Sequence, residues 1–484
     1  MAEIPCSIRD LHVNIVGNTG VGKSTLISWW VYNDILSETG GVCVIDPKGS
    51  LVERILRYIP DDRLNDCIWV DIDDPLPLDF MSCAPGKEDD VVADLKFMLM
   101  GAMAEMAQYP NINKNIENLL YTLIDANRHP DLNKEETRHL RCTFLDVAEF
   151  LEDKPRRDFI LRHVRNQKLK RGWDKLPSDA DRDKILSRIN PFVRSETLSK
   201  IFGDPKPRLN LDEVIEKKKI LLVRVPVVNR SSAAYGKFLI AKIQHAAFSR
   251  PEPSDRDRTP LFLYIDEFQN FQASEDFPRM LDMGREYKLC LCLSVTRLEP
   301  LTAGMKSALK IIGTYVVFQL NSEDAAYYKP IIEKEDRGKH LREKSESLYL
   351  DWSIAPPGDA NDKLFHKWAA LNQIVAKLPH PLPTIQDAIN LGRYEAIYKV
   401  GSAPAVIEPT PTPGSKYPTK DQIQRIEYIK ERSRKNYGIQ STPAEIGQIR
   451  TMDKRACNSP QVRHSEDNDQ DPQPGGAPTP PDLR

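Results

Sequence analysis

Gly17-Asn18-Thr19-Gly20-Val21-Gly22-Lys23-Ser24 decides the reading of this 484-residue chain. It is a complete G-x-x-x-x-G-K-[ST] phosphate loop. The apolar run Leu11 to Val16 reads as a buried strand feeding it, and Thr25 to Leu36 as the helix leaving it. Glycines allow the tight turn, so backbone N–H groups can surround phosphate oxygens at a helix N-terminus. Gly17, Asn18, Thr19, Gly20, Val21, Gly22, Lys23, Ser24 and Thr25 form the expected nucleotide cradle. Lys23 is expected to reach the β- and γ-phosphates of ATP, and the Ser24 hydroxyl to ligate Mg²⁺.

Working outward, Val42-Cys43-Val44-Ile45 reads as a second buried strand, ending at Asp46-Pro47-Lys48-Gly49-Ser50. Polar residues at that end of a parallel strand stand where ligands bind in an open α/β sheet. Cys67–Val70 and Ile220–Val225 add strands. Leu261-Phe262-Leu263-Tyr264-Ile265-Asp266-Glu267 adds another, whose closing carboxylates make a Walker B pattern. Asp266 would hold the hydrated Mg²⁺, and Glu267 would polarise the attacking water. Leu289–Ser294 and Thr314–Leu320 complete the set. Strands alternating with helices predict an α/β fold: a doubly wound, mostly parallel RecA-like sheet.

The rhythm breaks between about 89 and 203, where helical periodicity replaces strand signals. Residues 89–203 therefore read as an all-α insertion into a core of 8–88 and 204–335. Inside it, Arg156, Arg157, Arg162, Arg165, Lys168, Lys170 and Arg171 are locally basic. Both a nucleic-acid contact and a solvated helix face fit that segment. Residues 336–402 are mixed in character, and 403–418 are proline-rich and read as an extended linker. Within 419–450, Lys420–Tyr437 reads as a basic helix capped by Thr419, with Ile423, Ile426 and Ile429 on part of one face. Either a partner or the ATPase core could cover that face. The composition of 451–484 predicts disorder.

A net charge of −2 excludes a global basic field, so any nucleic-acid surface is local. The eight cysteines include no C-x-x-C pair, which predicts reduced thiols in a cytoplasmic protein. No signal peptide is recognisable, and no apolar run reaches the roughly 18–20 residues of a membrane span.

Taken together, the phosphate loop, Val44-Ile45-Asp46-Pro47-Lys48-Gly49 and Leu263-Tyr264-Ile265-Asp266-Glu267-Phe268-Gln269-Asn270-Phe271 resemble the FtsK–HerA superfamily of ring-forming ATPases. Within it, the chain looks like the coupling-protein-like ATPases of type IV secretion and conjugation (TraG/TraD-type, HerA-like). Arg188–Arg194, Ile201–Gly203, Leu209–Val225 and Ser433–Gly438 carry the likeness further. The resemblance implies a homo-oligomer, a hexameric ring, that moves DNA without regard to sequence. It implies that Arg285 reaches a neighbouring subunit's nucleotide; an exposed arginine complementing a helix end is the alternative. It also implies a glutamine at the end of the sensor strand, where this chain has Thr296. Related proteins carry membrane helices or a small β-barrel before the phosphate loop. Here about ten residues precede the first strand, which predicts a motor without a transmembrane segment, recruited by a partner protein through its C-terminal region. A nucleotide-gated adaptor that pumps nothing is the alternative, and a HerA-like motor in a nuclease defence complex is a third.

Overall fold

The computed structural model describes residues 9–438, except 75, 79, 82–85, 102–109, 135, 206–208, 228–229, 251–257, 272–275, 334–346, 348–358, 376–382, 402, 404 and 416. The 451–484 tail, residues 439–450 and much of 336–402 therefore lie outside the described residues.

Seven parallel strands form the centre: β1 (Val13–Val16), β2 (Gly41–Asp46), β3 (Cys67–Asp71), β4 (Ile220–Arg224), β5 (Leu261–Ile265), β6 (Leu289–Val295) and β7 (Thr314–Val317). β8 (Glu395–Val400) and β9 (Val406–Pro409) extend the sheet antiparallel, giving the order β3-β4-β2-β5-β6-β1-β7-β8-β9. All seven strands read from the sequence are present, and the α/β, mostly parallel architecture is as expected. Their continuous apolar runs follow from burial on both faces. Val42 and Val44 pack into one core, Cys43 and Ile45 into the other.

One face carries α1 (Lys23–Ser37) and α2 (Ser50–Leu56), whose Leu26, Ile27, Leu51 and Val52 pack with Val13 and Ile15. The other face bears the insertion. Its described residues form α3 (Glu88–Gly101), α4 (Pro110–Asn127), α5 (Asp146–Glu152), α6 (Lys154–His163), α7 (Gln167–Arg171), α8 (Asp179–Arg194) and α9 (Glu196–Phe202). Phe144, Phe192 and Phe202 meet edge-on or tilted at 5.4 to 5.5 Å, a geometry favoured by the ring quadrupole. Phe202 also approaches Phe238 of α11 (Arg230–Phe248), following α10 (Leu211–Glu216). The basic segment is partly structural. Arg156 is buried against Asp146 at 2.7 Å, and Arg157 donates to the Phe150 carbonyl at 2.9 Å.

Beyond β5 lie α12 (Asp276–Met283), α13 (Ala303–Ala308), α14 (Ser322–Ile332), α15 (Asp359–Val375) and α16 (Ile385–Asn390). The C-terminal part differs from a detached linker and helix. β9 falls inside the proline-rich stretch, and α17 (Lys420–Tyr437) lies on β3 at the opposite edge of the sheet. Between them residues 410–415 run over the face of α1 and α2. Thr410 N donates to Tyr394 O at 2.7 Å, and Arg57 Nη1 to Ser415 O at 3.3 Å. Prolines suit this crossing, because an extended strap needs no ladder of N–H donors. Thr419 and Gln422 form a capping box at the start of α17. Ile429 is fully buried there, while Ile423 stays 48% exposed. Ser433 Oγ accepts the Trp69 N–H at 2.9 Å. The core covers the apolar face of this helix, which carries only part of its isoleucines.

Candidate functional site

The phosphate loop joins β1 to α1 at the carboxyl end of the sheet. Gly17 N donates to Val295 O, and Asn18 N to Gln319 O at 2.9 Å, so both neighbouring strands anchor the loop. A Cβ on Gly17 would lie 2.5 Å from Phe318 Cβ, which only glycine avoids. Gly22 adopts φ 125°, and a Cβ there would meet Tyr394 at 2.9 Å. At Gly20 nothing lies within 4 Å of that position, leaving the outer side of the loop open to a ligand.

Lys23 Nζ turns back onto its own loop, donating to Gly17 O at 2.7 Å and Asn18 O at 3.0 Å. Burial pushes its ammonium below the ordinary lysine range, against the pull of Glu267 and Asp266. The Ser24 hydroxyl donates to Asp266 Oδ2 at 2.8 Å. These two oxygens are hard donors of the kind Mg²⁺ takes. Among the described residues no group of three His, Cys, Asp or Glu side chains is placed to hold a metal. A divalent ion here would therefore complete its shell with ligand and water oxygens.

Glu267 follows β5 in the left-handed region, at φ 47°. That conformation strains a residue with a Cβ and turns the side chain toward β6. Its Oε2 accepts Thr296 Oγ1 at 2.7 Å and the Gln269 amide, and its Oε1 accepts Lys48 Nζ. Burial would raise this carboxyl, but the donors from Lys48, Thr296 and Gln269 outweigh it and hold it below its usual range. Asp46 is fully buried and raised by that burial; its oxygens accept Lys48 N at 2.8 Å and Leu51 N at 2.7 Å.

Thus the fold gathers the loop residues, Asp266, Glu267 and Thr296 around one space. Arg285 is not among them. It is exposed on the turn before β6, and the strand's seven residues separate it from the loop end, roughly 20 Å at 3.3 Å each. The sequence reading missed Gln269 and the contact of Lys48. Both lie in stretches quoted for the family likeness, and their position after strand ends was the available signal.

No family model and no curated protein matches the chain. Solved structures do. The bacterial conjugative coupling protein TrwBdeltaN70, in an unbound form, aligns at TM-score 0.52 and 15% identity, covering 85% of this chain and 87% of that one. The fold is shared. TrwB in complex with ADP and Mg²⁺ aligns at 0.51 and 14%, covering 86% and 89%. VirB4 of Thermoanaerobacter pseudethanolicus aligns at 0.51 and 10%, covering 85% and 91%. Among the described residues no helix is long and apolar enough to cross a membrane.

Proposed function

We propose that the chain is a cytoplasmic ATPase of the conjugation and type IV secretion class that works as a hexameric ring and moves DNA. The observation that carries this reading is the 2.8 Å contact of Ser24 with Asp266, flanked by Lys23 and Glu267. It joins the two nucleotide motifs in one place. Residues Gly17 to Thr25 would hold the phosphates of ATP, and Ser24 and Asp266 the Mg²⁺. TrwB, which has this fold, has been solved with an ATP analogue and with ADP and Mg²⁺. When bound, the ion neutralises charge on the phosphoryl group being transferred. Glu267 orients and polarises the attacking water, while Gln269 supplies the amide that position 296 lacks, with Thr296 as a shorter second donor. DNA contacts are confined to local surfaces, given the net charge of −2. A partner protein would meet the outer side of α17, where Ile423 and Tyr428 are exposed.

DNA-stimulated turnover tests the reading. Phosphate release should rise several-fold on adding DNA of any sequence, and the stimulation should fall as salt rises. A flat response would favour the nucleotide-gated adaptor.

A further inference from the structure

Besides Lys23, the fold brings a second cation to Glu267. Lys48 stands on a short loop whose backbone is fixed. Asp46 holds its N–H, and Gly49, at φ 83°, packs so close to Arg224 that a Cβ would lie 2.6 Å from Cδ. Arg224 is itself held by Asp71 at 2.8 Å. The Lys48 side chain, by contrast, is 54% exposed and can swing. It forms an ion pair with Glu267 Oε1, while Thr296 and Gln269 occupy Oε2. A water to be activated by Glu267 needs a basic accepting oxygen, and the Lys48 ammonium holds the one that the other two donors leave and lowers its basicity. A competing anion must therefore draw the lysine away. The terminal phosphate of a triphosphate seated on Lys23 would be that anion, and a diphosphate lacks it.

We propose that Lys48 restrains Glu267 until a nucleoside triphosphate binds, then moves its ion pair to the terminal phosphate and frees Oε1 for water. This rests on the ATPase reading above. No covalent bond changes: the ammonium keeps its protons and exchanges one anionic oxygen for another. Lys48 is thus a positioning residue that distinguishes triphosphate from diphosphate.

Calorimetry with Mg²⁺, using a non-hydrolysable ATP analogue and ADP in parallel, tests this on the full chain. Lys48→Met keeps the reach and removes the charge. It should weaken the analogue by about tenfold or more, as befits a lost charge-assisted contact, and shift ADP by less than about threefold. Lys48→Arg should restore most of the difference. The loss should persist in a Glu267→Gln background, where no unpaired carboxylate remains to repel the phosphate. An unchanged ratio of analogue to ADP affinity, or a loss confined to the Glu267 background, overturns the proposal. The Lys23→Ala control is separate: if it binds both ligands like wild type, the ATPase reading itself fails.

Discussion

The Ser24 hydroxyl and the Asp266 carboxylate meet at 2.8 Å although 242 positions separate them in the chain. Closing that distance takes the parallel sheet, since β1 and β5 both pair with β6 and end within two residues of each other along it, at Val295 and Leu293. Lys23→Ala should abolish tight ATP binding by removing the charge on the β- and γ-phosphates. Glu267→Gln should keep affinity and lose turnover, because its shape survives and its carboxylate does not. Calorimetry and phosphate release read the two effects apart. Wild-type turnover in Glu267→Gln would remove the base from this position.

Gln269 and Thr296 donate to the same Glu267 oxygen, and their replacement should rank them. Gln269→Ala should lower turnover on the order of 10²-fold, the cost of one preorganised donor. Thr296→Ala should cost about tenfold or less, since its hydroxyl reaches less far. The opposite ranking would return the sensor role to Thr296.

Arg285 stands roughly 20 Å from the phosphate loop of its own chain, so a role in hydrolysis would be exerted on a neighbouring subunit. Arg285→Ala should then lose turnover, by roughly 10³-fold or more, while keeping ATP affinity and fold. Mixing it with Lys23→Ala subunits should rebuild some complete interfaces and restore measurable turnover. Without recovery, in assemblies shown to exchange subunits, Arg285 reads as a solvated arginine near a helix end.

The strap and α17 should be part of the stable unit. Ile429→Ala should cost about 2–5 kcal/mol, the range for emptying a buried aliphatic site. Ser433→Ala leaves the Trp69 N–H without its acceptor, at about 1–3 kcal/mol. Truncation at Gly401 removes β9, the strap and α17 together and should lower the thermal midpoint well beyond either substitution. Urea and thermal melts measure all three, and an unchanged midpoint would detach the helix from the core.

How much was legible follows from where each element is buried. Strands such as Ile220–Arg224 and Leu261–Ile265 announce themselves because both of their faces are covered. Only apolar residues fit there. β8 and β9 escaped notice for the opposite reason. Glu395-Ala396-Ile397-Tyr398-Lys399-Val400 is short and mixed, and β9 ends in Pro409, as suits an edge strand. Lys23, Ser24 and Asp266 were readable because phosphate chemistry constrains local spacing. The Lys48 and Gln269 contacts with Glu267 depend on strand order and on a left-handed backbone, which local spacing does not encode.

The strap also sets an order of assembly. Trp69 is made early, yet the serine that accepts its N–H lies 364 residues downstream. At about 5–20 residues per second, a ribosome would take roughly 20 to 70 s to cover that interval. Once β4 has been made, and until α17 follows, β3 is a sheet margin with β4 on one side and nothing from the C-terminus on the other. An unguarded margin invites pairing with other chains. The nascent protein thus passes through a sticky period that ends only when α17 emerges and docks.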